Sequence, residues 1–353
     1  MSPASTEQFL LEQYTGHPAS QLQDLRKALY QSVFGCEHLI TDTSAAAEGI
    51  RREAAEAGPC SREIEALDGP WSRVQLGVLA DGLTPETLSR MFARSAAMSH
   101  GDADALQEKL TVLRRLIRSG ALPAEADAEL DDWRKNGFPV CRHSEEYRAA
   151  YRPAYRVLHR TYVRLLPLLA AIDRALAENP RVLLAIEGGA ASGKSTLADL
   201  LTAIYPDTAL FHADDFFLRP EQRTAARYAQ PGGNLDRERL ESEILIPISR
   251  NKAAVYRPFN CRTLSLREPV TVLPGRLNIV EGSYSFHPEL ARYYDLSVFL
   301  DISPETQRSR ILERNGPEWG QQFFDRWIPL EQTYFHETDT QGRCTLALKE
   351  EIR

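Results

Sequence analysis

Apolar residues along this 353-residue chain follow two rhythms, and the change between them falls near residue 178. Before it the spacing is helical. Leu22, Leu25, Leu29 and Val33 form one stripe that Ser20 is placed to cap. Thr84-Pro85-Glu86 is a helix start with proline at the first helical position. Leu106, Leu110, Leu113 and Ile117 make another stripe, ended by Gly120. From Ser144 to about Leu176 the pattern predicts one long helix through Tyr147, Tyr151, Tyr155, Leu158, Tyr162, Leu165, Leu169 and Ile172, with Pro153 and Pro167 placed to kink or split it. Glu178-Asn179-Pro180 breaks the chain. Beyond it, short apolar runs at 182–186, 208–212, 277–281 and 296–301 alternate with helical segments. That alternation predicts a three-layer α/β domain, a parallel sheet with helices on both faces. The expected organisation is a mostly helical domain over 1–178, of unassigned role, and an α/β domain over 179–353.

Composition narrows the class. At 43% hydrophobic and 26% charged, the chain reads as globular, and a net charge of −7 argues against nonspecific nucleic-acid binding. No uncharged apolar stretch reaches membrane-spanning length, and the first residues carry neither a basic nor an apolar segment, so neither a membrane nor a secretory route is expected. The five cysteines are widely spaced without a C-x-x-C pair. A disulfide framework or zinc site is not expected, and a cytoplasmic location is.

The candidate chemistry begins where the α/β half begins. Gly188-Gly189-Ala190-Ala191-Ser192-Gly193-Lys194-Ser195-Thr196 reads G-x-x-x-x-G-K-S, between a predicted strand and a predicted helix. This is the P-loop, the phosphate-binding loop of nucleoside-triphosphate enzymes. Glycines let successive N–H groups point inward at phosphate oxygens. Lys194 can reach the β- and γ-phosphates, the Ser195 hydroxyl can ligate Mg²⁺, and the helix starting near Ser195 turns its positive end to the anion. ATP and Mg²⁺ are the expected cofactors, with GTP an open alternative.

Two carboxylates fall at predicted strand ends. Asp214, in Ala213-Asp214-Asp215-Phe216-Phe217, could accept a proton from an attacking hydroxyl, with Phe216 and Phe217 walling a pocket; Asp-Asp also makes an ordinary turn. Glu281, before Gly282, sits where an acid orders water around the metal.

Residues from about 181 to 340 resemble the uridine kinase-like family of P-loop kinases, which includes phosphoribulokinase-like and type I pantothenate kinase-like enzymes. The resemblance rests on the loop, on Asp214-Asp215-Phe216-Phe217, and on Gln230-Pro231-Gly232-Gly233-Asn234-Leu235-Asp236. It continues through Tyr256-Arg257-Pro258-Phe259, Glu281-Gly282 and an arginine-bearing lid helix, Thr306 to Arg314. It implies transfer of a γ-phosphoryl group to a hydroxyl of a small molecule. Asp214 would be the general base, Lys194 and Ser195 would hold triphosphate and metal, Glu281 would support the metal, and Arg310 and Arg314 would clamp the triphosphate. Asp215, Phe216, Phe217, Tyr256, Phe259 and Arg262 would face the acceptor. The histidine that reads pyrimidine in uridine kinases is missing from Tyr256 to Arg262, so no pyrimidine contact is implied. Trp319 and Trp327 could line a pocket or pack the lid, and packing is the favoured reading. Two further readings stay open: a nucleotide-driven regulatory module, and a polynucleotide 5′-hydroxyl kinase, which the acidic charge disfavours.

In the helical half, Cys141-Arg142-His143-Ser144 with Tyr147, Tyr151, Arg152 and Tyr155 could meet an anion. Equally, Ser144 could cap a helix while His143 pairs with an acid. Gly69-Pro70-Trp71-Ser72-Arg73 is a second candidate rim. This half is compatible with completing the acceptor site, forming a homodimer, or answering a regulator.

Overall fold

The computed structural model describes residues 2–36, 42–58, 60–122 and 127–349. The chain divides into two compact units, Met1–Ala170 and Ala171–Arg353.

The first unit is mostly helical, as its apolar spacing predicts. Its main helices are α1 (Pro3–Gly16), α2 (Leu22–Phe34), α3 (Thr43–Ala57), α4 (Pro85–Ala97) and α5 (Ala103–Arg118). Thr84 caps α4 through its hydroxyl, with Pro85 in the first turn. The cap of α2 is not Ser20. Gln21 holds that place, and its N–H is taken by Asp24 three residues on.

The predicted long helix over 144–176 is not continuous. A helix Glu145–Tyr151, capped by Ser144, stops at Arg152, and the chain then extends as β3 (Tyr155–His159). Pro153 explains the stop, since the residue before a proline is pushed out of the helical region. β3 completes a small antiparallel sheet, β1 (Ile64–Ala66), β2 (Trp71–Gln75) and β3, which helical periodicity did not disclose. Trp71 and Arg73 lie buried in β2, so Gly69 to Arg73 builds interior and not a pocket rim. His143 donates to Asp24 at 2.7 Å and accepts from the Tyr155 hydroxyl at 2.6 Å, the structural pairing the sequence allowed. Burial pushes the Cys141 thiol up, away from nucleophile chemistry.

The interior of this unit is tied by a buried ion pair. Lys109 on α5 reaches Asp68 Oδ2 at 2.9 Å and the Ser32 hydroxyl on α2 at 2.9 Å. Ser5 and Thr6 at the start of α1 donate to the same carboxylate at 2.6 Å each. Burial works to raise the Asp68 carboxyl, but the hydrogen bonds from Ser5, Thr6 and Lys109 outweigh it and hold it below its ordinary value.

The second unit is a five-stranded parallel sheet. Its strands are β4 (Val182–Gly188), β5 (Thr208–His212), β6 (Leu277–Glu281), β7 (Leu296–Asp301) and β8 (Leu346–Lys349), in the spatial order β8-β7-β4-β6-β5. The central strand β4 is buried throughout, which is why it reads as an unbroken apolar run. Register does the rest. Glu281 on β6 pairs with Ile186 on β4 on one side and with His212 on β5 on the other. Ile186, two residues from the end of β4, therefore forms one row with the last residues of β6 and β5, and the segments after them open on the same edge of the sheet. The crevice beyond such strand ends is where α/β sheets bind ligands. β8 was not foreseen, because Leu346–Lys349 is short and half-exposed. Among the described residues no helix is long and apolar enough to cross a membrane.

Asp68→Ala is expected to cost about 3–5 kcal/mol, because it leaves Lys109 buried without its counter-charge. Denaturant unfolding of the first unit would measure this. The Asp68 contribution is present above the unfolded carboxylate value of about 3.9 and fades as pH falls through the depressed folded value.

Candidate active site

The loop after β4 is shaped by its backbone. Gly188 has φ of 145°, and a Cβ there would lie 2.7 Å from the Leu300 carbonyl oxygen on the neighbouring strand. Ala191 (φ 58°) and Gly193 (φ 98°) are also left-handed, and α6 (Lys194–Ile204) starts directly after Gly193. This succession of turns directs N–H groups inward.

The carbonyls face the other way, and each has a partner. Lys194 Nζ donates to the Gly188 and Gly189 carbonyls at 2.8 Å each. Gln307 Nε2 donates to Ala190 O at 2.9 Å, and Arg310 to Ala191 O at 3.1 Å. Both come from α7 (Pro304–Gln322), which carries the predicted lid arginines and bends at Gly316. The Ser192 hydroxyl oxygen is buried and has no hydrogen-bond partner. An orphaned hydroxyl inside a curl of amides suits a phosphate oxygen.

Beneath the loop lies Glu187, fully buried on β4. It accepts from the N–H groups of Gly188 at 3.1 Å, Tyr284 at 2.9 Å and Phe286 at 2.9 Å, and from the Tyr334 hydroxyl at 3.2 Å. Burial pushes its carboxyl up to about 7 in spite of those donors. Glu331, on α8 (Ile328–Glu337), is also buried. It accepts from Ala190 N at 2.9 Å and from the Ser283 hydroxyl at 2.7 Å, so a carboxylate occupies one of the loop's own amides. Burial raises its carboxyl as well, against the pull of Lys194.

At the row of strand ends, the Ser195 hydroxyl donates to Glu281 Oε1 at 3.3 Å, and His212 Nδ1 donates to the same oxygen at 2.6 Å. The hydrogen bond to Glu281 is the main reason the His212 imidazole is raised above its ordinary value. Gly282 allows this close approach: at φ of 145°, a Cβ would lie 2.6 Å from that of Ala213. Among the described residues no three His, Cys, Asp or Glu side chains converge as a metal cage. The hydroxyl of Ser195 and the carboxylate of Glu281 fit Mg²⁺, which keeps several waters and takes phosphate oxygens as ligands.

Asp214 sits in the turn Ala213–Phe216 that follows β5. Its side chain is exposed. Crowding raises its carboxyl, Lys194 opposes that rise, Glu281 adds to it, and His212 and Arg314 oppose it. The fold thus brings Asp214 into the field of the loop lysine, the strand-end acid and a lid arginine. Arg314 also lies over Phe323 at 5.6 Å and donates to Asn315.

The acceptor-side candidates separate by depth. Phe216 is fully buried and stacks on buried Tyr256 at 5.4 Å, so it builds core and not pocket wall. Phe217 is half-buried, and Asp215 bonds the Tyr256 phenol. Phe259 is buried, and Arg262 is exposed at the tip of a hairpin. Trp319 is 66% exposed, while Trp327 carries Arg326 over its ring at 4.7 Å. His212, Glu187, Ser283, Gln307 and Glu331 went unassigned from sequence. Glu187 abuts the loop motif and His212 ends a predicted strand, so adjacency was their only signal.

Strand order and loop geometry define a P-loop α/β unit. No family model matches the sequence, and no curated protein matches it. Solved structures do resemble its C-terminal half. One is a possible uridine kinase from Bacillus stearothermophilus, 18% identical with a TM-score of 0.39, over 51% of this chain and 98% of that one. Another, from Silicibacter sp. TM1040, is provisionally assigned as a fructose transport system kinase; it is 19% identical with a TM-score of 0.41, over 50% of this chain and 97% of that one.

Glu187→Ala is expected to destabilise the second unit by about 3–5 kcal/mol, since it strands three buried N–H groups at once. Tyr334→Phe, which removes one donor, is expected to cost about 1 kcal/mol. Urea titration of the full chain distinguishes the two.

Proposed function

We propose that this protein is an ATP-dependent kinase that transfers the γ-phosphoryl group to a hydroxyl of a small molecule. The observation that carries the reading is Asp214, an exposed acid in the turn after β5 and within the field of Lys194, Glu281 and Arg314. A carboxylate raised above its ordinary range is a stronger base toward an alcohol than a free aspartate. The reaction asks for alignment and charge neutralisation more than covalent help.

In this reading the acceptor oxygen attacks the γ-phosphorus and its proton passes to Asp214. The new P–O bond forms as the bond to the β–γ bridging oxygen breaks, and the electron pair leaves with ADP. Lys194 gives up the Gly188 and Gly189 carbonyls to meet phosphate oxygens. Ser192, Ser195 and the inward amides bind the triphosphate, and Arg310 and Arg314 balance its charge. Mg²⁺ held through Ser195, with Glu281 ordering its water, would neutralise charge on the β- and γ-oxygens.

Lys194→Ala is expected to abolish transfer. Asp214→Asn is expected to lower kcat by about 100-fold or more with ATP affinity little changed, because it removes a base and no phosphate contact. kcat/KM for the wild type should rise with pH through an ionisation above the ordinary aspartate value of about 3.9, since only the deprotonated carboxyl accepts the proton. The Asp214→Asn variant should lose that limb. Mass spectrometry of a panel of nucleosides, sugars, pantothenate-like alcohols and amino alcohols, incubated with labelled ATP, would report the acceptor by the gain of one phosphoryl group. Full turnover by the asparagine variant on that acceptor would refute the assignment.

A further inference from the structure

The acid placed to order the metal's water does not stand alone. Glu281 ends β6 directly opposite His212, the last residue of β5. Residues in register on neighbouring parallel strands turn their side chains to the same face of the sheet, so this histidine meets the carboxylate across one strand spacing. His212 Nδ1 donates to Glu281 Oε1 at 2.6 Å. The Ser195 hydroxyl reaches the same oxygen at the longer distance of 3.3 Å. Among the described residues, Glu281 Oε2 accepts no hydrogen bond.

The pair is mounted on fixed backbone. One residue back, Val280 and Phe211 face each other in the same register, and both are fully buried. One residue on, Gly282 lets the two chains stay close, with room for no Cβ beside that of Ala213. Side chains carried on such strands hold their place better than side chains on loops. A glutamate is long, and immobilising it costs rotamer freedom. A bond made before the metal arrives removes that cost from metal binding. The two carboxylate oxygens also divide the work. A hydroxyl ligates Mg²⁺ through an oxygen lone pair and can still donate its proton to a carboxylate. Oε1 takes the Ser195 proton, His212 fixes where Oε1 is, and Oε2 is left for water on the metal. Either the neutral Nδ1–H tautomer or the imidazolium makes this bond, so the arrangement does not depend on the charge of His212.

We propose that His212 is a positioning residue of the metal site: through its bond to Oε1 it holds the Glu281 carboxylate in the setting that serves both the Ser195 hydroxyl and the water on Mg²⁺. This deepens the kinase reading and rests on it for the nucleotide and the metal. His212 acts through Glu281, so its loss should be felt only when the metal is present.

The test needs no turnover. The full chain is titrated calorimetrically with the non-hydrolysable ATP analogue AMP-PNP, once in EDTA and once in saturating Mg²⁺. The ratio of the two affinities is the coupling between metal and nucleotide. Wild type is expected to bind more tightly with Mg²⁺. His212→Ala should shrink the ratio at least about 10-fold, as for other losses of a partner that orients a metal site, and should leave the affinity in EDTA unchanged. Damage to the fold would weaken both affinities together. His212→Asn, whose side-chain amide can replace the Nδ1 donor, should restore most of the ratio. In a Glu281→Ala background, His212→Ala should change the ratio less than about 2-fold, because the carboxylate it acts on is gone. Melting curves confirm that the variants fold; should Glu281→Ala not fold, the asparagine rescue decides.

Failure of the wild type to bind AMP-PNP in either condition would sink the kinase reading and the role of His212 with it. Four outcomes would overturn the positioning role and leave nucleotide binding standing. They are a wild type that binds equally with and without Mg²⁺, a ratio indifferent to His212→Ala, an asparagine variant no better than the alanine one, and a loss undiminished when Glu281 is absent.

Discussion

A backbone curl that turns several of its amides inward is held open only if everything behind it is tied down. In this protein the loop Gly188–Thr196 is secured from three directions. Glu187 grips the amide at its start together with two amides of the segment after β6. Lys194 draws two of its carbonyls together from within. Gln307 and Arg310 take two more from the lid helix, and Glu331 takes the Ala190 amide from the helix beyond. The inward amides and the Ser192 hydroxyl are what this scaffold leaves for a ligand. Preorganisation of this kind lets a site stabilise charge without rearranging when the charge arrives.

The same ties couple the loop to its surroundings. Lys194 and Glu331 make contacts that a polyphosphate would have to replace, since both bond the loop itself. A bound polyphosphate would therefore exchange internal hydrogen bonds for ligand ones, and the elements that carry the displaced partners, α6 and α8, are those that would feel occupancy most directly. Burial raises the carboxyls of both Glu187 and Glu331 above their ordinary values.

Electrostatics also organises the far side of the cleft. Asp214, Asp215 and Glu281 bring three acids to adjacent strand ends, and His212, Arg267 and Arg239 partly offset them. A single row of register, Ile186 with Glu281 with His212, produces this concentration. Shifting β6 by one residue would turn Glu281 to the opposite face of the sheet and dissolve the metal-side contacts.

Much of the second unit was legible in the residues. Four of its five sheet strands, the loop and the arginine-bearing helix announce themselves through buried apolar runs, glycines and helical spacing, because local backbone preference and burial agree there. Tyr155–His159 was not legible: its tyrosines and leucine fit a helical stripe, and only pairing with Trp71–Gln75 makes them a strand. Glu331 and Gln307 were equally silent, since a glutamate or glutamine on a helix looks like solvated surface until the fold buries it. Sequence alone determined the amide cradle, the strand that presents it and the acid after the second strand, because these depend on neighbours along the chain. Tertiary structure alone decided which distant side chains secure the cradle and which phenylalanine is core, because those depend on contacts between residues tens to more than a hundred positions apart.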